Sequence, residues 1–192
     1  MRVIAGIYKS RALKTLRGPK LRPTSDRLRE TLFNILGSRV EGALFVDLFA
    51  GTGAVGIEAL SRGARFAYFI ESHRPAAALI RKNLASLQIF LAAELLETDV
   101  GAGLGLLASR KLRGRDGKVS PADCIFLDPP YAAAEQYTPA LESISRLSLL
   151  RADGVVVAEH LKKLTLPDQA GHLARTRCVT QGDSALSFYR PA

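Results

Sequence analysis

Tryptophan is absent from this 192-residue chain, cysteine occurs only twice and histidine three times. Both cysteines, Cys124 and Cys178, fall in predicted strands, so we expect buried thiols rather than a disulfide. The cysteines and histidines are also too scattered to predict a metal site. No apolar run reaches the roughly 18 residues that cross a bilayer, and the N-terminus lacks the apolar core of a signal peptide. We therefore expect a cytoplasmic protein without a membrane or a metal partner.

Acidic side chains are scarce at the start of the chain. Residues 1–40 hold ten Lys or Arg against two Asp or Glu, a formal charge of +8, whereas residues 41–192 total +1. This asymmetry indicates a polyanionic partner, most simply nucleic acid, although a solvated basic face would give the same pattern. The cations that we assign to such a surface are Lys9, Arg11, Lys14, Arg22 and Arg27, and we expect Arg29 there or at the active site.

The first 24 residues predict a basic β-hairpin extension. Residues 2–7 and 12–16 have the pattern of two short strands, and the turn between them is basic. A helix follows, which Thr24 or Ser25 can cap.

Strand and helix patterns alternate over residues 25–192 until an antiparallel strand pair closes the chain. The alternation predicts an α/β fold, a doubly wound and mostly parallel sheet of seven strands with helices on both faces and a terminal hairpin. One helix, over 75–87, is predicted to turn the run Arg81-Lys82-Asn83 toward solvent. A turn is predicted at Asp153-Gly154.

A strand, a glycine-rich turn and a helix follow one another from Ala43 to Leu60. The apolar strand ends at Asp47, and Gly51 and Gly53 precede the helix. This arrangement brings backbone N–H groups and a helix N-terminus beside a ligand, and glycine lets that ligand approach the backbone closely. The pattern favours a nucleotide-type ligand over a plain tight turn.

Acidic residues stand at the ends of four predicted strands: Asp47, Glu71, Asp99 and Asp128. Glu71 lies 20 residues after Gly51, where a carboxylate can accept from both ribose hydroxyls of an adenosine moiety. Ligands of open α/β sheets bind outside the carboxyl ends of the strands. We therefore expect all four carboxylates at one ligand-binding edge.

The fourth of these strands runs into Asp128-Pro129-Pro130-Tyr131. Two prolines fix the backbone and lack N–H groups, so nearby carbonyls are held rigidly as acceptors. The Asp128 carboxylate and one such carbonyl can accept both hydrogens of an exocyclic amine, and Tyr131 offers a face on which an extruded base can stack. Attack of that amine on a sulfonium methyl group needs mainly positioning.

Two motifs together resemble a known class of enzymes: the run from Asp47 to Gly53 and the tetrapeptide at 128–131. They resemble the S-adenosylmethionine-dependent amino-methyltransferases of Rossmann-like fold. Within that class, the stretch from Arg22 to Asn34 is similar to the signature of the RsmD family, the bacterial 16S rRNA guanine-N2 methyltransferases. The opening hairpin is also similar to that family's, whereas a basic loop at 110–118 is longer than is usual there.

The resemblance implies a methyltransferase domain over 25–192, which would transfer a methyl group from S-adenosylmethionine to a guanine of 16S rRNA. The residues that would hold the cofactor are Asp47, Phe49, Ala50, Gly51, Thr52, Gly53, Glu71, Ser72, Asp99 and Val100. The catalytic residues, which would hold the target guanine, are Asp128, Pro129, Pro130 and Tyr131. The RNA surface would include Arg2 and Thr24 besides Lys9, Arg11, Lys14, Arg22 and Arg27. We expect a monomer that binds 16S rRNA or the assembling small ribosomal subunit.

Other functions stay open or are disfavoured by single features. A triphosphate site is disfavoured because no Gly-Lys-Ser/Thr follows the glycines, and a dinucleotide oxidoreductase would leave 128–131 without a role. A DNA adenine-N6 methyltransferase would be expected to need a further target-recognition domain. A protein glutamine methyltransferase would be expected to have Asn at position 128. A non-catalytic RNA-binding assembly factor would lack affinity for S-adenosylmethionine.

Overall fold

The computed structural model describes residues 1–15, 26–113, 117 and 119–192. Within these ranges the chain forms five α-helices and one eight-stranded sheet. The helices are α1 (Asp26–Leu36), α2 (Ala54–Ser61), α3 (Arg74–Ser86), α4 (Val100–Arg110) and α5 (Tyr137–Arg146). The strands are β1 (Leu44–Leu48), β2 (Phe66–Ile70), β3 (Ala93–Leu96), β4 (Ala122–Leu127), β5 (Leu150–Leu161), β6 (Gln169–Ala170), β7 (Leu173–Gln181) and β8 (Ser184–Pro191). Short 3₁₀ helices cover Gly37–Val40 and Tyr131–Gln136.

The strand order is β3-β2-β1-β4-β5-β8-β7-β6, parallel from β3 to β5 and antiparallel beyond it. The predicted α/β doubly wound sheet with a terminal antiparallel hairpin is therefore confirmed. The expected seven strands are one too few within the described residues. The additional strand, β6, is two residues long, too short to leave a periodic pattern in the sequence.

Two hydrophobic layers cover the faces of the sheet. One contains the apolar faces of α1, α2 and α3 on side chains such as Phe45, and the other contains those of α4 and α5 on side chains such as Leu44 and Val46. Successive residues of a strand point to opposite faces, which is why neighbours in β1 belong to different layers. Because β1 to β5 are parallel, their carboxyl ends lie at one edge of the sheet.

The N-terminal segment, residues 1–15, folds back on α2 and α3. Within the described residues, its two arms are joined by the isolated antiparallel bridge of Arg2 with Ala12 and by backbone hydrogen bonds such as that from Val3 N–H to the Arg11 carbonyl, at 3.0 Å, so the predicted strand pair over 2–7 and 12–16 is shorter than expected. The reason is that, beyond Val3, backbone N–H groups of the first arm bond to α2 instead of to the second arm. Ile4 and Ala5 donate to the carboxylate of Glu58, at 2.7 and 3.0 Å. The predicted boundary at residue 24 lies outside the described residues and stays a prediction.

Arg29 of α1 is completely buried, whereas we predicted it on a nucleic-acid surface or at the active site. Its Nη2 donates to the carbonyl of Arg2 at 2.6 Å and to Asp26 Oδ1 at 3.0 Å, and its Nε lies 3.8 Å from Glu58 Oε2. Glu58 is buried as well and also accepts from Arg62 Nε at 2.8 Å. These charges stabilise the junction of the N-terminal segment with α1 and α2, so Arg29 is structural.

Three further expectations are corrected. Asn83 is buried in α3 rather than turned to solvent, because it bonds to the N-terminal segment. Cys178 is exposed, since β7 lies near the edge of the sheet and only part of it faces the core, while Cys124 is buried as expected. Asp153-Gly154 lies inside β5, whose pairing with β4 is shifted there rather than interrupted by a turn.

Candidate active site

The carboxyl ends of the parallel strands form one edge of the sheet, and the four predicted acidic residues follow β1 to β4 there. Asp47 lies in β1, Glu71 directly follows β2, and Asp128 directly follows β4. Asp99 precedes α4 in the connection from β3. The structure thus brings the predicted carboxylates to a common edge, as the strand pattern indicates.

Asp47 is buried, and its Oδ2 accepts a hydrogen bond of 2.9 Å from the backbone N–H of Gly56 in α2. The pKa of this carboxyl is raised to about 7, mainly by burial and also by the charge of Glu71, against the opposing effect of the Gly56 hydrogen bond. The side chain therefore joins the strand end to the following helix and has a protonation equilibrium near neutral pH.

Glu71 fixes the turn at its own strand end. Its Oε2 accepts from the N–H of Gly51 and its Oε1 from the N–H of His73, both at 2.7 Å. Each carboxylate oxygen has a second lone pair for a ligand. The sequence pattern indicated the ribose role of Glu71 but not this structural one.

The glycine loop, Asp47–Gly53, turns sharply between β1 and α2. Gly51 and Gly53 have positive φ of 57° and 76°, which glycine adopts without strain, whereas the positive φ of 62° at Phe49 is a conformation that bulky side chains rarely adopt. Ala50 N–H donates to the carbonyl of Ile70 at 3.0 Å, so the loop is attached to the end of β2. A Cβ placed on Gly51 would meet only the Phe49 carbonyl within 4 Å, at 3.9 Å. Gly51 thus borders open space at the sheet edge.

The remaining predicted cofactor residues lie within this loop, directly after β2 and at the start of α4. Ala50 is buried, Thr52 is half-buried and Ser72 is exposed after β2. Asp99 is the N-cap of α4, since its Oδ1 accepts from the N–H of Ala102 at 2.9 Å. Val100 is buried in the hydrophobic layer of α4.

The tetrapeptide after β4 turns directly into the 3₁₀ helix Tyr131–Gln136. Asp128 is half-buried, Pro129 is buried and Pro130 is exposed. The Pro130 carbonyl accepts a 2.7 Å hydrogen bond from Ala133 N–H. Tyr131 is 50% exposed, so its ring offers a face to a planar ligand.

A cleft of about 410 Å³ lies beside Tyr131. Its other lining residues are Ala134, Tyr137, Leu161, Lys163 and Leu164. Tyr137 is held in place by a hydrogen bond from its hydroxyl to the carbonyl of Glu159. Sequence reasoning missed Tyr137 and Lys163, because they come from α5 and from the connection after β5, where no motif marks them.

The predicted basic residues of the N-terminal segment are all exposed: Arg2, Lys9, Arg11 and Lys14. Arg11 Nη2 donates to the carbonyl of Ser86 at the end of α3, at 3.0 Å. Arg27 is exposed on α1. Arg22 and Thr24 lie outside the described residues, and so does part of the basic 110–118 loop.

Across the described ranges, no helix is long and apolar enough to span a membrane. Among the same described residues, no three or more His, Cys, Asp or Glu side chains lie together so that they could hold a metal ion.

Comparisons with known proteins agree with the geometry. The family described as "Conserved hypothetical protein 95" matches residues 1–190. The chain is 38% identical to "Putative rRNA methyltransferase YlbH" of Bacillus subtilis, over 99% of this chain and 98% of the relative. It is 37% identical to "Ribosomal RNA small subunit methyltransferase D" of Escherichia coli K12, over 68% of this chain and 60% of the relative. A solved structure, "Putative methyltransferase yhhF" from Escherichia coli, superposes with a TM-score of 0.83 at 28% identity, covering 100% of this chain and 97% of the other.

Proposed function

The chain belongs to the RsmD family of rRNA methyltransferases, and from that premise we propose that it methylates the exocyclic N2 amine of a guanine in 16S rRNA, with S-adenosylmethionine as the methyl donor. The observation that carries the proposal is the tetrapeptide 128–131 at the same sheet edge as the glycine loop, with Tyr131 half exposed beside a cleft. One edge thus offers a cofactor side and a target-base side.

The residues at the glycine loop suit this cofactor. Gly51 borders open space in which a ligand fits against the backbone, and the carboxylate of Glu71 has lone pairs for ribose hydroxyls. Glu71 also holds the loop backbone in place at Gly51 before a ligand arrives, which reduces the ordering cost of binding. Bound there, S-adenosylmethionine supplies an electrophilic methyl group on a sulfonium centre.

On the target side, Asp128 and a proline carbonyl position the amine. The Pro130 carbonyl is directed into the 3₁₀ helix by its hydrogen bond from Ala133 N–H, so we assign the second acceptor to Pro129. Two fixed acceptors hold both amine hydrogens and aim the nitrogen lone pair at the methyl carbon. The nitrogen–carbon bond would form as the carbon–sulfur bond breaks and S-adenosylhomocysteine leaves, and the amine would lose one of its two hydrogens as a proton through the Asp128 carboxylate to solvent. Tyr131 stacks on the base, and the protein contributes positioning rather than a nucleophile.

The basic N-terminal segment docks the RNA in this proposal. Its four predicted cations are exposed and lie on a segment that packs against α2 and α3, the helices beside the glycine loop. Lys and Arg contacts to phosphates position an RNA without reading its sequence. The segment would therefore bring the target nucleotide to the cleft beside Tyr131.

Asp128→Asn tests the proposal, since an amide presents one acceptor and one donor where two acceptors are wanted. We expect a misaimed amine to lower the single-turnover rate on 16S rRNA by about 100-fold or more, with S-adenosylhomocysteine affinity largely kept. Asp183→Asn, at the exposed turn before β8, is the matched control. Mass spectrometry of the digested wild-type product should show N2-methylguanosine. A different methylated nucleoside, or a wild-type rate in Asp128→Asn, would contradict the proposal.

A further inference from the structure

Asn83 of α3 is completely buried and bonds to two regions that the proposed function keeps apart. Its Nδ2 donates to the carbonyl of Thr52 in the glycine loop at 3.0 Å and to the carbonyl of Lys14 in the N-terminal segment at 3.1 Å. Its Oδ1 accepts from the N–H of Lys14 at 2.8 Å. One side-chain amide thus uses three hydrogen bonds to join the basic segment to the loop.

The same two regions touch a second time. Met1 Sδ lies 3.9 Å from Thr52 Oγ1, so the first arm of the N-terminal segment contacts the glycine loop directly. The second arm is joined to the loop through Asn83. The cations of that segment are exposed, while its backbone is what Asn83 holds. A polyanion can therefore bind the side chains without disturbing the hydrogen bonds beneath them.

We propose that Asn83 is a positioning residue that couples RNA binding at the N-terminal segment to cofactor binding at the glycine loop. The inference rests on the proposed function, because it needs both ligands. In this coupling, each ligand raises the affinity of the protein for the other ligand.

The physical reason lies in the Thr52 peptide. A hydrogen bond to the Thr52 carbonyl fixes the peptide plane that also contains the N–H of Gly53, and so fixes the loop backbone that faces the cofactor. RNA contacts to Lys14 and its neighbours restrict the N-terminal segment, which holds the Asn83 amide in its bonded position. The cofactor then binds to a loop that is already ordered, and its affinity rises. By linkage, the cofactor raises RNA affinity by the same factor.

The first measurement needs no variant. Calorimetry gives the Kd of S-adenosylhomocysteine for the full chain alone and in the presence of saturating 16S rRNA transcript or small ribosomal subunits. We expect RNA to lower that Kd by about 5-fold or more, the usual lower range of coupling between two sites. An unchanged Kd with RNA demonstrably bound would overturn the coupling and leave the proposed function standing. Failure of both RNA forms to bind would overturn the proposed function and the coupling together.

The second measurement assigns the coupling to Asn83. Asn83→Ala removes all three hydrogen bonds, and Asn83→Asp keeps an acceptor for Lys14 N–H but places a carboxylate against two carbonyls. We expect both variants to bring the ratio of the two Kd values close to 1. Asn34→Ala, an exposed asparagine on α1, is the matched control and should keep the wild-type ratio.

A merely structural Asn83 would give a different result. It would weaken S-adenosylhomocysteine binding equally with and without RNA, so the ratio in Asn83→Asp would match wild type, and that outcome would overturn the assignment. Circular dichroism melts identify a variant that fails to fold, and the other substitution then decides the assignment.

Discussion

Two regions of this molecule carry charges of opposite sign and are built in opposite ways. At the carboxyl edge of the sheet, the acidic side chains themselves accept from backbone N–H groups, as Asp47 does from Gly56 and Glu71 from Gly51. In the N-terminal segment, the basic side chains are exposed, and buried polar groups of α2 and α3 hold the backbone instead. The acidic edge therefore uses the same side chains for folding and for its proposed function, whereas the basic segment uses different ones.

From this difference we infer which substitutions should change ligand binding without changing the stability of the fold. Removing an exposed cation leaves every buried hydrogen bond of the segment in place, so binding should change and folding should not. Removing a carboxylate at the sheet edge deletes a backbone anchor together with a proposed ligand contact.

The anchor of the basic segment should have the largest effect on stability. Glu58→Ala deletes the acceptor of Ile4 and Ala5 and leaves the buried guanidinium of Arg29 with less compensation. We expect the free energy of unfolding in urea to fall by about 3–5 kcal/mol. Glu30→Ala, exposed on the neighbouring α1, is the control and should change little. Equal losses in the two variants would mean that the segment does not depend on Glu58.

Asp47 should make stability depend on pH. Burial raises the pKa of the folded-state carboxyl to about 7, so the folded protein binds the proton more tightly than the unfolded chain does. Its contribution is therefore fully present below about pH 4 and is lost as pH rises through about 7. We expect Asp47→Asn to raise the free energy of unfolding at pH 8 by up to about 4 kcal/mol and to leave it unchanged at pH 4.

Urea unfolding at both pH values measures the difference between wild type and Asp47→Asn. Asp183→Asn is exposed and should show no such pH dependence. If Asp47→Asn were equally stabilised or destabilised at the two pH values, the raised pKa would not be the cause.

Glu71→Ala should weaken cofactor binding. Charge-assisted hydrogen bonds to ribose contribute roughly 1.5–3 kcal/mol each, an upper range in an open cleft, and the loop also loses the anchor at Gly51. Calorimetry with S-adenosylhomocysteine measures the loss, with Glu142→Ala on the exposed face of α5 as the control. A folded Glu71→Ala protein with wild-type affinity would exclude this role.

The exposed cations should give the smallest and most selective effect. Changing Lys9, Arg11 and Lys14 to Gln should leave unfolding and S-adenosylhomocysteine affinity without RNA close to wild type. RNA binding should weaken, and the slope of log K against log salt should fall by about 0.7–0.9 for each lost phosphate contact. A double control at Arg146 and Arg177, exposed on α5 and β7, should keep the wild-type slope. An identical slope in the triple variant would mean that the segment is only a solvated face.

Local patterns in the sequence predict every strand of the sheet except β6, the order of these strands along the chain and the acidic residues at their ends. These depend on local patterns: an apolar run such as 44–48, a glycine turn and a helical period, all within about a dozen residues. The carboxyl ends of parallel strands must meet at one edge, so the common position of Asp47, Glu71 and Asp128 also followed from topology. The family signature likewise lies in continuous motifs.

The burial and the hydrogen-bond partners of the polar side chains between these motifs depend on tertiary packing and could not be predicted from the sequence. Arg29 and Asn83 read as solvent-facing in the sequence, yet both are buried, because their partners are 27 to 69 residues away along the chain. The two arms of the N-terminal segment pair over a shorter stretch than predicted, because Glu58, more than 50 residues distant, takes the N–H groups of Ile4 and Ala5 in the first arm. No periodicity encodes such distant pairs, since a buried polar group is satisfied by whichever partner the packing brings to it.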